Sequence, residues 1–125
     1  MTADDRRYTR EHEWIQVEGN VGTVGVTEYA AGELGDIVYL ELPEPGSEVG
    51  QGEPVGTIET VKSVEDLYCP VDGEILEVNE AVLAAPETVN QDPLGDGWLF
   101  KVRLSDASQV EELLTAAEYD ALIRG

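Results

Sequence analysis

The sequence predicts a mainly β protein with a sandwich or barrel core and a short helical segment at its carboxyl end. Three observations predict it. Short runs of β-favouring residues recur along the chain, each cut off by Gly or Pro. Two helix-start patterns, each followed by one apolar stripe, close the chain after residue 105. No linker or shift in composition divides the 125 residues, enough for one ordinary core. A single domain over 1–125 is therefore expected, with its core at about 8–104 and its terminal helices at about 106–124.

The elements follow in chain order. Residues 14–17 and 21–26 are β-favouring runs flanking Gly19-Asn20, a hairpin-turn pair. Thr27 is placed to cap a short helix over 28–34 that stops at Gly35. Residues 37–42 are mostly apolar in both alternating sets, which predicts a strand buried on both faces. Pro43-Glu44-Pro45-Gly46 ends it, because proline cannot donate to a ladder. Residues 75–78 form the next strand. The stretch 79–97, rich in Asn, Asp, Pro and Gly, predicts an extended loop with one helical turn after Pro86. Residues 98–104 then alternate in their second half, as a strand with one wet face does. Ser108 with Glu111, and Thr115 with Glu118, are both capping-box patterns. Val110, Leu113 and Leu114, then Tyr119, Leu122 and Ile123, supply the stripes expected to pack on the sheet.

Composition excludes several functions. Twenty-seven acidic against seven basic residues give a formal net charge of -20. Such a surface repels nucleic-acid phosphates and anionic lipid, so neither is an expected partner. The charge fits steering toward basic faces of partner enzymes, and equally solubility or an unusual cytoplasm. One cysteine, Cys69, precludes an internal disulfide, and one histidine, His12, precludes a Cys/His metal cluster. Between Tyr68 and Pro70, Cys69 reads as a small core residue. No Gly-x-Ser-x-Gly elbow occurs. Residues 1–7 carry charges with no apolar stretch behind them, and no run is long enough to span a bilayer, so a cytoplasmic location is expected.

What remains is the segment 52–74. Pro54 and Pro70 lie eight residues either side of Lys62, and Gly52-Glu53 is echoed by Gly73-Glu74. Equal arms ending in breakers suit a β-hairpin with Lys62 at its tip. Val61, Val64, Leu67 and Tyr68 also fit one stripe of a helix, so periodicity alone leaves both open. The only other lysine is Lys101, on the polar side of a predicted strand. An amine at a hairpin tip is one that a modifying enzyme can reach.

Residues 59–68, Glu-Thr-Val-Lys-Ser-Val-Glu-Asp-Leu-Tyr, closely resemble the lipoylation motif of glycine cleavage system H-proteins. Tyr8-Thr9-Arg10-Glu11-His12-Glu13-Trp14 is similar to that family's opening segment. The blocks at 24–30, 34–38, 42–43, 78–80, 90–93 and 96–99 continue the likeness in order, from about Tyr8 to Leu122. The resemblance implies a hybrid barrel-sandwich of two antiparallel sheets, lipoyl/biotinyl-domain-like, with quasi-twofold symmetry and covalent lipoate on Lys62 at a hairpin turn. It implies a non-catalytic carrier that moves the aminomethyl group of glycine from glycine decarboxylase (P-protein) to aminomethyltransferase (T-protein), with reoxidation by dihydrolipoyl dehydrogenase (L-protein). A monomer best serves such a carrier. Glu59, Val61, Ser63, Val64, Glu65 and Asp66 flank the tip and are the candidates for recognition by lipoate ligase or lipoyl/octanoyl transferase; otherwise they are ordinary solvated hairpin positions. Glu13 is the candidate for an acidic group in the arm cleft, against a plain surface carboxylate. A lipoyl domain of a 2-oxoacid dehydrogenase usually has an acid where Val61 stands, and a biotin carrier has methionines around its lysine. A lipoyl relay and an unmodified acidic scaffold are the remaining alternatives.

Overall fold

The computed structural model describes residues 6–124; the expectation drawn from the first few residues falls largely outside them. Nine strands form two antiparallel sheets. The chain runs β1 (Arg7–Tyr8), β2 (Glu13–Glu18), β3 (Val21–Val26), α1 (Glu28–Leu34), β4 (Ile37–Glu41) and β5 (Glu48–Val49). It continues through β6 (Pro54–Thr60), β7 (Val64–Tyr68), β8 (Gly73–Val78), α2 (Glu80–Ala84), α3 (Glu87–Gln91), β9 (Phe100–Leu104), α4 (Ser108–Glu111) and α5 (Ala116–Arg124). One sheet has six strands in the order β1-β2-β3-β9-β8-β5, the other three in the order β4-β6-β7. This is the mainly β, lipoyl-domain-like barrel-sandwich that the sequence and the resemblance predict.

The core lies between the sheets. Ile15, Val24, Ile75 and Phe100 from the larger sheet and Leu40, Ile58 and Leu67 from the smaller belong to one buried cluster. Fully burying such side chains stabilises by about 1.5–3 kcal/mol each. The β2–β3 hairpin closes with Glu18 opposite Val21, and Gly19 takes the positive φ of 64° that the turn requires. Gly25 opposes Trp14, and a Cβ there would sit 2.8 Å from the indole. Its missing side chain makes room for the buried Trp14.

Thr27 caps α1 as expected, its hydroxyl accepting from the Ala30 N–H at 3.1 Å, and Gly35 ends the helix. Strand β4 departs from expectation. Ile37 and Leu40 are buried, but Val38 and Tyr39 are 49% and 55% exposed. A register irregularity between Ile37 and Tyr39 breaks the strict alternation of the strand, so Val38 and Tyr39 both lie away from the core while Ile37 and Leu40 enter it. The loop predicted over 79–97 contains α2 as well as the expected turn α3. Asn79 makes α2 possible: its Oδ1 accepts from Ala81 N–H, while its Nδ2 donates to the carbonyls of Asp96 and Trp98. Val82 and Val89 anchor the two short helices in the core. Such brief helices carry too few turns for a periodic signal.

At the carboxyl end, Thr115 and Glu118 form the reciprocal capping box, at 2.9 and 3.2 Å. Ser108 does not cap α4; Asp106 accepts both its N–H and its hydroxyl, and Ser108 is already inside the helix. Tyr119 stacks on Tyr8 with ring centroids 4.8 Å apart, which fastens α5 to β1. Leu122, expected to pack, is exposed instead. Cys69 is buried, as its neighbours predicted, and its thiol donates to the Val71 carbonyl at 3.1 Å. Among the described residues no helix is long and apolar enough to cross a membrane.

Candidate functional site

The hairpin of β6 and β7 resolves the choice that periodicity left open. Their register runs from Gly56 opposite Leu67 to Glu59 opposite Val64. Thr60 N–H donates to the Ser63 carbonyl at 2.8 Å, leaving Val61 and Lys62 as a two-residue loop. Thr60 holds that loop. Its buried hydroxyl accepts from the N–H groups of Lys62 and Ser63, at 3.1 and 3.0 Å, and lies 3.2 Å from the Ser63 carbonyl, to which it donates. A further bond, from Val61 N–H to the Asp36 carbonyl, ties the loop to the chain after α1. Lys62 stands exposed at the tip, its Nζ donating to the Glu33 carbonyl at 3.2 Å. No acidic side chain pairs with it among the ion pairs of the described residues.

Beside the tip runs an open groove of about 490 Å³, walled by α1 on one side and the β6–β7 hairpin on the other. Val26, Ala30, Leu34 and Ile58 give it an apolar lining, and Lys62, Ser63, Glu65 and Asp66 stand on it from the hairpin. Ser63 hydroxyl donates to Glu65 at 3.1 Å. Glu59, Val61 and Val64 are not on this groove; Val61 and Val64 are 69% and 62% exposed at and beside the tip. The flanking candidates therefore divide into a groove-facing set and an outward-facing set.

Glu13 lies in the groove wall and is buried, which removes the reading of it as a plain surface carboxylate. Its Oε1 accepts from the Thr9 hydroxyl at 2.7 Å and its Oε2 from Tyr68 N–H at 3.3 Å. Burial pushes its pKa from 4.5 up to about 8; the two hydrogen bonds oppose that rise, and nearby Glu11 adds to it. At neutral pH Glu13 is mainly a neutral acid, able to donate a hydrogen bond or give up a proton to a base entering the groove.

Several groove residues escaped the sequence reading. His12 faces the groove next to Glu13, with its Nδ1 2.8 Å from the Tyr119 hydroxyl, which is itself 2.7 Å from the Thr27 hydroxyl. Tyr29 tilts against the His12 ring with centroids 5.0 Å apart. The sequence signals were scarcity, since His12 is the sole histidine, and its place in the Tyr8–Trp14 block, neither of which assigns it a role. Thr60 gave none, because a threonine in a strand is unremarkable.

A mostly β protein that holds one lysine on a two-residue loop above a partly apolar groove has the layout of a covalent carrier. Comparison with known proteins supplies the family. Residues 6–125 match the family model described as Glycine cleavage H-protein. A relative named Glycine cleavage system H protein in Symbiobacterium thermophilum is 51% identical over 120 residues, covering 96% of this chain and 94% of its own length. One of the same name in Staphylococcus saprophyticus is 52% identical over 117 residues, covering 94% and 93%. The crystal structure of a glycine cleavage system H protein from Mycobacterium marinum superposes with a TM-score of 0.89 at 42% identity, covering 97% of this chain and 98% of that one. The chain belongs to the glycine cleavage H-protein family, the carrier component of the glycine cleavage system. The 2-oxoacid dehydrogenase and relay alternatives receive no support from these relatives.

Proposed function

We propose that this carrier bears lipoate in amide linkage to Lys62 and moves the aminomethyl group of glycine between its partner enzymes without catalysing a step itself. The observation that carries the reading is the position of Lys62, alone at a fixed hairpin tip beside the groove. The residues present fit such an arm. The apolar walls suit an aliphatic chain, Asp66 suits a positively charged end, and the carboxyl oxygens of Glu13 can accept a hydrogen bond from it.

Attachment begins with release of the Lys62 Nζ–H from the Glu33 carbonyl. Amide formation needs the neutral amine as nucleophile, so any proton it carries has to pass to the modifying enzyme. The amide that forms carries no charge. Bound lipoate supplies a disulfide that can be reduced and loaded at one sulfur. The chain contributes position: α1 and the hairpin flank the groove, Asp66 supplies an acidic side chain to a protonated amine, and the buried Glu13 supplies a carboxyl oxygen as hydrogen-bond acceptor. Glu59, Val61 and Val64 on the outer side of the tip, with Ser63, Glu65 and Asp66 on the inner side, are the recognition surface for lipoate ligase or lipoyl/octanoyl transferase. P-protein, T-protein and L-protein are the partners in turnover. Residues 1–125 act as one carrier domain, a monomer in the cytoplasm.

Intact mass and peptide mapping of the natively expressed protein test the assignment. A lipoyl group on Lys62 alone is expected. Biotin there, or no modification despite an active ligase, refutes it. Lys62→Arg should keep the fold and abolish glycine–bicarbonate exchange with P-protein; retained exchange would place the arm elsewhere.

A further inference from the structure

His12 is the only non-glycine described residue with a positive φ, at 72°. A side-chain-bearing residue in the left-handed region is strained and persists where the surroundings fix it. They do so at His12. Its N–H donates to the Thr9 carbonyl at 3.1 Å, its carbonyl accepts from Thr27 N–H at 3.0 Å, and Thr9 N–H closes the turn onto the Glu13 carbonyl at 2.9 Å. The strained backbone places the imidazole between Tyr119 of α5 and the groove.

The hydroxyl groups behind the ring set its tautomer. Thr27 is buried, and its oxygen accepts from Ala30 N–H. Among the described residues the only other group at hydrogen-bond distance from that hydroxyl is the Tyr119 oxygen, so Thr27 O–H donates to Tyr119. Tyr119 O–H is then directed to His12 Nδ1, which must accept. The reverse direction would leave a buried Thr27 proton with no acceptor among the described residues, which buried polar groups rarely tolerate. A neutral imidazole that accepts at Nδ1 carries its proton on Nε2. Nε2 lies across the ring from Tyr119, has no hydrogen-bond partner among the described residues, and belongs to a residue that lines the groove.

We propose that His12 is an arm-binding residue: its Nε2–H donates to an acceptor atom of the lysine-borne arm, and Tyr119 and Thr27 are positioning residues that fix the donor. This rests on the reading that Lys62 roots the arm. The acceptors such an arm offers are its amide carbonyl and its sulfur atoms, and octanoyl-Lys62, which has the carbonyl without the sulfurs, separates the two.

The single histidine makes the test direct. Protein labelled with ¹⁵N at histidine is prepared unmodified, octanoylated and lipoylated, with acylation at Lys62 verified by mass before any spectrum is taken. An acyl group elsewhere refutes the Lys62 assignment and not this one. In the unmodified protein the spectrum should show the proton on Nε2. Acylation should slow exchange of that proton about tenfold, the worth of one ordinary hydrogen bond. Slowing in the octanoyl form identifies the carbonyl, and slowing only in the lipoyl form identifies a sulfur. His12→Asn tolerates the left-handed backbone and can still accept from Tyr119, but lacks the distal donor. In the lipoylated protein it should shorten the lifetime of the aminomethyl adduct about tenfold, with His12→Gln restoring part of it. A proton on Nδ1, exchange unchanged by both acyl groups, or an adduct lifetime unaltered in His12→Asn would each overturn the proposal.

Discussion

Replacing Glu13 by Gln should remove a pH dependence that the buried carboxyl imposes on stability. In the folded protein Glu13 holds its proton up to about pH 8, whereas its ordinary value is 4.5. Between those limits the native state binds one proton more than the unfolded chain, so stability falls as pH rises. The contribution is fully present below pH 4.5 and lost as pH passes 8. At roughly 1.36 kcal/mol per pH unit, the whole span is worth about 5 kcal/mol, of which about 2.5 kcal/mol lies between pH 5 and 7. Glutamine has nearly the same shape. Its carbonyl can accept from Tyr68 N–H and its amide can donate to the Thr9 hydroxyl, and it does not titrate. Urea unfolding of both proteins at constant ionic strength, from pH 5 to 8, measures the difference. The repulsion among the other carboxylates is common to both and cancels. Wild-type stability minus that of Glu13→Gln should fall by about 2.5 kcal/mol from pH 5 to 7. Parallel curves would show that Glu13 ionises normally and that its burial does not hold the proton.

Three further changes follow from the packing. Thr60→Val removes the hydroxyl that receives two backbone N–H groups at the tip, and should cost about 1–3 kcal/mol in urea unfolding while slowing acylation of Lys62 in a ligase assay. Gly25→Ala drives a methyl group into Trp14 and should lower stability by about 1–3 kcal/mol, with a shift in the fluorescence of that buried indole. Tyr119→Phe keeps the ring stacked on Tyr8 but loses the hydroxyl between His12 and Thr27. It should cost about 1–2 kcal/mol by thermal or urea unfolding and leave acylation of Lys62 unchanged, since α5 is remote from the tip hydrogen bonds.

Much of the fold was legible because local chemistry and global structure agree. Gly19-Asn20 between two β-branched runs, Thr27 before an apolar stripe, and Thr115 with Glu118 each act within a few residues of themselves, and each appears as expected. The misses have one character. β4 looked buried on both faces because sequence does not say where a strand's alternation is broken, here between Ile37 and Tyr39. α2 was hidden because Asn79 caps it while also holding the carbonyls of Asp96 and Trp98, contacts that exist only after folding. Ser108 does not cap because it already lies inside α4, with its N–H and hydroxyl both taken by the Asp106 carboxylate two residues earlier.

The site divides in the same way. The breakers around Lys62 made it a plausible tip, but the helical alternative fell only to a register that sequence does not contain. Glu13 was identified from family likeness, while its burial, and with it the raised pKa, comes from the approach of Tyr68, 55 residues away. Thr60, Tyr119 and His12 act through hydrogen bonds rather than through a motif. Such residues become visible only when donors and acceptors are counted in place.

The burial of Cys69 has a consequence for redox compatibility. A protein that bears a reversible disulfide on a long tether holds an electrophile within reach of its own surface, and any accessible thiolate could capture it as a mixed disulfide. Cys69 is the only thiol in the chain. Burial pushes its pKa up to about 11, and its proton is engaged with the Val71 carbonyl. Thiolate is therefore scarce and the sulfur is enclosed, so exchange with a disulfide tethered at Lys62, as proposed, would be blocked both chemically and sterically. The same packing that fills the core keeps the carrier inert toward its own cargo chemistry.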